Sequence, residues 1–379
     1  MRILLVGEYS RLHNSLKEGL QQLGHEVTII ATGDYFKNFP ADIKLTRKYD
    51  EGILRKLKIA IYLILKKDIT QISITKQFFT YQKDLINYDV VQLINERPFG
   101  IKGKNAFKII DFLKENNKKL HLLACGTDYI SVKFAADKKY RYSILTPYFE
   151  KKISKKKSHH ILDYTSKESY QHHQEVFKKI SSVSASDIDY VLPYENYPYF
   201  KGLIPNPINI NKLKYKKIKK NNPITIFHGI NKTNYYKKGN DIFDASLKEI
   251  KKKYINKVEI ITVSNLPYKE YINKYNSAHI LLDQIYAYDQ GYNALEAMAK
   301  GKVVFTGAEK EFLEYYNLQE DEVCINALPD VDYLVEKLSW LIENPSKIEE
   351  IGKCARQFIE THHDYKKVAQ KYLKVYQTS

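Results

Sequence analysis

Residues Ala278 to Thr306, AHILLDQIYAYDQGYNALEAMAKGKVVFT, decide the fold. Ile280 to Leu282 is a short apolar run closed by Asp283 and predicts a buried strand. A polar loop with Gly291 and several tyrosines follows, from Gln284 to Tyr292. Asn293 opens a short predicted helix, Asn293 to Lys300, which Gly301 ends ahead of a second strand, Val303 to Thr306. Strand, loop, helix and strand in that order form a unit of a parallel sheet. Beyond Gly291, the backbone amides of Asn293, Ala294 and Leu295 converge at a helix start, where anions bind. Glu296 sits just inside that helix, where a carboxylate reaches a ligand hydroxyl. Anion site and acid together point to a nucleotide diphosphate carrying a sugar.

The flanking sequence repeats the alternation. Upstream, Ile224 to His228 reads as a strand, Asn240 to Tyr254 as a helix and Val258 to Val263 as a strand; downstream, Val331 to Glu343, Ser346 to Glu360 and Tyr365 to Tyr376 read as helices. At the N-terminus, a strand from Arg2 to Gly7 precedes a helix with Leu12, Leu16, Leu20 and Leu23 on one face, then a strand at Val27 to Ala31. That is the opening of a doubly wound α/β domain. Gly7 stands alone after the first strand, so the glycine fingerprint of dinucleotide binding is missing. Further strands are predicted at Val90 to Ile94, Leu120 to Cys125 and His160 to Asp163, with Ser166 capping a helix. Asp128 follows the second of these at a strand's carboxyl end, as a site acid or as a helix cap. Pro193 to Pro207, with four prolines, marks a boundary. The expected architecture is two Rossmann-like doubly wound domains facing across a cleft: residues 1–203, then 204–361, with 362–379 packing back on the first.

The 379 residues are 44% hydrophobic, enough for two such cores. The longest apolar run, Ile59 to Leu65, is too short to span a bilayer, and the N-terminus lacks the features of a signal peptide. Cys125, Cys324 and Cys354 are scattered and form no metal or disulfide framework. The expected location is cytoplasmic. The net charge of +17 admits three readings: nucleic acid, an anionic membrane surface, or a lysine-rich codon usage. Gly52 to Lys67, GILRKLKIAIYLILKK, is apolar with basic ends. It reads as a helix lying on a membrane surface or as a core helix with solvated ends. Asp187-Ile188-Asp189 and Asp330-Val331-Asp332 read as caps or solvated acids. The adjacent pairs His159-His160, His172-His173 and His362-His363 diverge in space, and no metal is expected.

Four segments in order carry a resemblance: Ile204-Pro205-Asn206-Pro207, Phe227-His228-Gly229, Lys237-Lys238-Gly239, and the run Gly291 to Gly301, GYNALEAMAKG. Together they resemble the donor domain of the GT-B glycosyltransferases of family 4: an Ile-Pro-Asn linker, a strand with a glycine turn, a Lys-Gly before a helix, and the Gly-x4-Glu-Ala-Met-Ala-x-Gly signature. The resemblance implies a catalytic Lys238 on the donor diphosphate and Glu296 on the ribose hydroxyls. The amides of Asn293, Ala294 and Leu295 would hold the distal phosphate, with Gly229 and Gly291 in the donor-binding set. Two positions depart from the pattern. Tyr288 occupies the place of the family's first glutamate, with Asp289 adjacent as its candidate stand-in. Lys232 lies where an arginine is usual.

The function so implied is transfer of a sugar from a nucleotide-diphosphate sugar to a glycan or lipid-linked acceptor, retaining and metal-independent, with no cofactor, in bacterial surface polysaccharide synthesis. Acceptor residues are expected on the N-terminal loops at Ser10, His13 and Asp128, with Asp128 the catalytic base if the enzyme inverts. The inner face of the plasma membrane is the candidate site of peripheral attachment. The alternatives are a GT-B-fold sugar-nucleotide epimerase or phosphorylase, and a basic nucleic-acid-binding protein. The scattered lysines and the nucleotide-sized site speak against nucleic acid as a partner.

Overall fold

The computed structural model describes residues 1–34, 38–215, 223–264 and 268–378. The strands are β1 (Arg2–Val6), β2 (Glu26–Ala31), β3 (Ile43–Lys44), β4 (Val90–Leu93), β5 (Lys119–Ala124), β6 (Ser182–Ala185), β7 (Phe200–Leu203), β8 (Ile224–Ile230), β9 (Val258–Ser264), β10 (Ile280–Leu282), β11 (Val303–Thr306) and β12 (Ile325–Asn326). They form a 7-stranded sheet ordered β3-β2-β1-β4-β5-β6-β7 and a 5-stranded sheet ordered β12-β11-β10-β8-β9. All paired strands run parallel. Both orders are doubly wound. The strand order reverses between β1 and β4 in the first sheet and between β8 and β10 in the second, and ligands of such sheets bind outside the carboxyl ends at those reversals.

The apolar runs that predicted strands are continuous because helices cover both faces of a parallel sheet; β4, β10 and β11 are buried at every residue. In the first sheet Leu4, Val6, Val91 and Leu93 pack with Ile74, Phe78 and Ile109. In the second, Ile226, Ile280, Leu282 and Phe305 pack with Phe243, Leu338 and Ile351.

The chain divides into two compact units, Met1–Lys133 with Leu162–Pro207 and Tyr365–Ser379, and Phe134–Ile161 with Ile208–Asp364. Residues 134–161, expected in the first domain, group with the second. Their tie is long-range: Arg141 donates to Glu309 and Glu311, about 170 residues away. The Tyr365–Thr378 helix lies in the first unit, where the Tyr376 hydroxyl donates to Gln92 Oε1 at 2.6 Å. One local expectation fails. His160 to Asp163 is not a strand but the end of the Lys155–Leu162 helix and a tight turn after it. Within the proline-rich stretch Pro193 lies inside the short Ile188–Tyr194 helix, β7 follows, and this segment of the first unit ends at Pro207.

Candidate active site

The second unit's reversal point assembles a site from two loops. After β8 the chain makes a tight turn at Lys232–Asn234 and reaches Lys238 just before the Asn240–Lys253 helix. Gly239 there has φ +71, and a Cβ on it would lie 2.7 Å from Ile285, so both backbone and packing require glycine. The Lys238 carbonyl accepts the Ile285 amide at 3.1 Å, which ties this loop to the one following β10. Asp283 opens that second loop with its side chain 1% exposed. Its Oδ1 accepts from Lys238 Nζ at 3.1 Å and from Asn293 Nδ2 at 3.0 Å. Oδ2 is buried and without a hydrogen bond. The lysine itself is 30% exposed. A buried carboxylate thus holds an accessible ammonium beside a helix start. The neighbouring Lys237 is held below the usual lysine range by burial and by the charge of Lys238.

The helix carrying the signature runs Tyr292–Ala299, one residue earlier than predicted. Consequently the Leu295 N–H is committed to the Gly291 carbonyl at 3.0 Å, closing the first turn, and cannot bind a phosphate as expected. Asn293 and Ala294 remain in that first turn, the Ala294 side chain fully buried. At Gly291 the nearest atoms to an added Cβ would be Gln284 Nε2 and Asp283 Oδ2, at 3.9 and 4.0 Å. Glu296 is half-buried on the same helix. Gly229 does not make a turn: β8 continues through it to Ile230, with Gly229 paired to Val263. Lys232 is exposed in the turn that follows.

Tyr288 and Asp289 are both buried. The Tyr288 hydroxyl accepts the Arg141 amide at 2.7 Å, its ring lies 4.7 Å under the Arg141 guanidinium, and the rings of Tyr140 and Tyr142 close around it. Arg141 forks onto Glu309 and Glu311 at 2.6 Å, while the Tyr142 hydroxyl also donates to Glu309. Burial pushes the Glu311 carboxyl up, but Arg141 outweighs it and holds the group below its ordinary range. Asp289 Oδ1 accepts the next residue's amide at 2.7 Å. The sequence reading missed Asp283, although an acid directly after a buried strand is the same signal that singled out Asp128. Arg141 and Glu309 carry no local signal at all.

In the first unit the expected acceptor residues fare differently. Ser10 is half-buried, with φ +51, and its amide donates to Asp34. His13 is fully buried, because it shares the core face of its helix with Leu12, Leu16 and Leu20. Its Nδ1 lies 2.7 Å from the Gly7 carbonyl, and burial lowers its pKa to about 4. A neutral, enclosed imidazole is a core group, and the acceptor role is withdrawn. Asp128 is 1% exposed. Its Oδ1 accepts the Ser131 amide at 2.7 Å and its Oδ2 the Tyr194 hydroxyl at 2.8 Å. It caps the Tyr129–Ala136 helix, so its capping reading replaces that of a catalytic base. Burial and the nearby Glu96 raise it to about 6. At the end of β1, Glu8 is 3% exposed and burial pushes its pKa up to about 7. Its Oε2 accepts from the Asn14 amide and side chain, while Oε1 has no bond. Among the described residues no group of three or more His, Cys, Asp or Glu is placed to hold a metal.

Residues 239–374 match the family model described as glycosyl transferase-like. The chain's sequence matches no curated protein. Among solved structures, sucrose-phosphate synthase from Thermosynechococcus elongatus superposes with a TM-score of 0.63 at 14% identity, covering 100% of this chain and 98% of its own. HepE from Anabaena, in complex with UDP and glucose, gives 0.59 at 13% identity with 100% of both chains covered. The UDP-GlcNAc 2-epimerase of Neisseria meningitidis, bound to UDP-GlcNAc, gives 0.53 at 14% identity over 100% of both chains. At these identities the structures establish a shared fold, and the family match covers the part of the chain that carries the Lys238–Asp283 site from Gly239 onward. The chain has the GT-B fold of these structures, and its residues 239–374 match the glycosyl transferase-like family.

Proposed function

We propose that the enzyme moves a sugar from a nucleoside diphosphate sugar to a glycan or lipid-linked acceptor, with retention at the anomeric carbon and without a metal, in surface polysaccharide synthesis on the cytoplasmic side of a bacterial membrane. The observation that carries this reading is Lys238, held by buried Asp283 at a reversal point beside the start of the Tyr292–Ala299 helix. Transfer breaks the bond between the anomeric carbon and the diphosphate, and the electron pair leaves with the diphosphate. Lys238 and the positive end of the helix stabilise the charge as it develops. In this assignment Glu296 takes the ribose hydroxyls and the first-turn backbone at Asn293 and Ala294 the distal phosphate. Lys232 reaches the diphosphate from the turn after β8. Tyr288, behind Arg141, shapes the sugar end rather than touching it.

HepE was solved with UDP, with UDP and glucose, and with UDP-glucose, which makes uridine donors the first to try. A panel of nucleotide sugars with added glycan acceptor is expected to release nucleoside diphosphate from one donor class, with the donor's anomeric configuration kept in the product by NMR. Lys238→Ala should lower kcat about 10²–10³-fold. Release from no donor, or full turnover without the lysine, would overturn the assignment. The fold shared with the Neisseria epimerase supports a second reading, in which the same panel returns an isomerised nucleotide sugar.

A further inference from the structure

The Gly52–Leu65 helix has no buried residue. Eight large hydrophobic side chains stand exposed along it: Ile53, Leu54, Leu57, Ile59, Tyr62, Leu63, Ile64 and Leu65, with Ile53 at 84% and Ile64 at 79%. Ile53, Leu57, Ala60 and Ile64 recur at helical spacing and make one stripe. An apolar surface of this extent marks an interaction site. The opposite side of the helix is pinned. Lys58 Nζ reaches Asp50 at 2.8 Å and Asp68 at 3.8 Å, while Asp50 also accepts from Arg47 and from Thr70. Burial pushes the Asp50 carboxyl up, but Lys58 and Arg47 outweigh it and hold it ionised below its ordinary range. The helix is therefore held by its polar side with its apolar stripe turned out.

We propose that this helix lies in the plane of an anionic lipid bilayer, its stripe entering the acyl boundary and Arg55, Lys56, Lys66 and Lys67 binding lipid phosphates. All four cations are exposed, and among the described residues none has an acidic partner. Like charges so placed oppose a second copy of the same face and favour an anionic surface. The length is decisive for the geometry. Fourteen residues span about 21 Å, less than the roughly 30 Å of a hydrocarbon core, so the helix lies in the interface and does not cross it. Among the described residues no helix is long and apolar enough to cross a membrane. This inference rests on the surface alone and not on the donor assignment.

The test is sedimentation of the full chain with vesicles of phosphatidylcholine alone or mixed equally with phosphatidylglycerol, in moderate salt. Wild type is expected to pellet with the anionic vesicles and stay in solution with the neutral ones. Ile53→Ser with Ile64→Ser should cut binding about tenfold or more, and Lys66→Glu with Lys67→Glu about twentyfold. All four side chains are exposed, so unchanged circular dichroism and unchanged nucleotide-sugar turnover are expected in both variants. Three outcomes would overturn the proposal: wild type that stays in solution with the anionic vesicles, binding indifferent to the apolar pair, or a concentration-dependent dimer that the Ile53 and Ile64 changes dissolve while vesicles capture nothing.

Discussion

Both sheets reverse their strand order in the same way, yet the two reversal points are built from opposite chemistry. In the second unit a single buried acid, Asp283, presents an accessible lysine. In the first, the acids at the carboxyl ends are enclosed and held by neighbours. Glu96 takes the Tyr129 amide and His173, Asp128 takes Ser131 and Tyr194, and Glu8 takes Asn14. Topology selects where a ligand binds. The sign and accessibility of the charge left there select what binds. A cationic cradle suits a leaving diphosphate, whereas a set of enclosed carboxyls rejects one.

The contrast is sharpest at Glu8, and the largest effect is expected there. Its pKa of about 7 in the folded protein lies above the ordinary glutamate value of 4.5, with burial the main cause. Protonated at low pH in both states, it costs nothing there. As pH rises from about 4.5 through 7, the unfolded chain releases the proton first and the folded state loses stability. Glu8→Gln should therefore gain on wild type by on the order of 2–3 kcal/mol between pH 5 and pH 8, measured by denaturant unfolding. His13 contributes the opposite slope, since its lowered pKa destabilises the folded state as pH falls below about 6.5 toward 4. That slope is common to both proteins and cancels in the difference. A gap that does not grow with pH would remove the enclosed, titrating acid from the comparison.

Asp283 offers the next test. Asp283→Asn keeps the Asn293 contact and removes the charge that holds Lys238. Donor kcat/KM should fall about tenfold, the worth of a charge-assisted bond, while the melting temperature is kept, because the residue gives up a buried charge with one unbonded oxygen. A structural role would move stability together with activity.

The two reversal points were not equally legible in the sequence. Ile280–Leu282, Val303–Thr306 and Val331–Glu343 match their predicted bounds, because a fully buried parallel strand or an amphipathic helix writes its period directly into the chain. The Lys-Gly before the Asn240–Lys253 helix was legible for a physical reason now visible, the left-handed Gly239 packed against Ile285. What could not be read is what depends on distant partners. The 134–161 segment joins the second unit through Glu309 and Glu311, and Ser182–Ala185 forms β6 with no apolar run to announce it. His13 and Asp128 stood at plausible loop positions, and only their burial and bonds reveal core and cap. A one-residue shift of helix start sufficed to take Leu295 out of the phosphate set.

The smallest effect is expected at Asp128, and it is the most discriminating for the first unit. Asparagine is isosteric there: its oxygen can accept the Ser131 amide, and its NH2 can donate to the Tyr194 hydroxyl in place of the bond that Tyr194 now donates. A cap so preserved predicts transfer rates within about twofold of wild type, since a cap of this kind is worth only about 1 kcal/mol. A general base at the same position would instead cost about 10²–10⁴-fold. The pH profile separates the two further. A base of pKa about 6 would switch activity on as pH rises through that value, and the asparagine variant would lose that limb. If the limb belongs to another group, both profiles coincide. Coincident profiles would leave the second unit's lysine as the charged group that serves the reaction, with the first unit's carboxyls serving the fold.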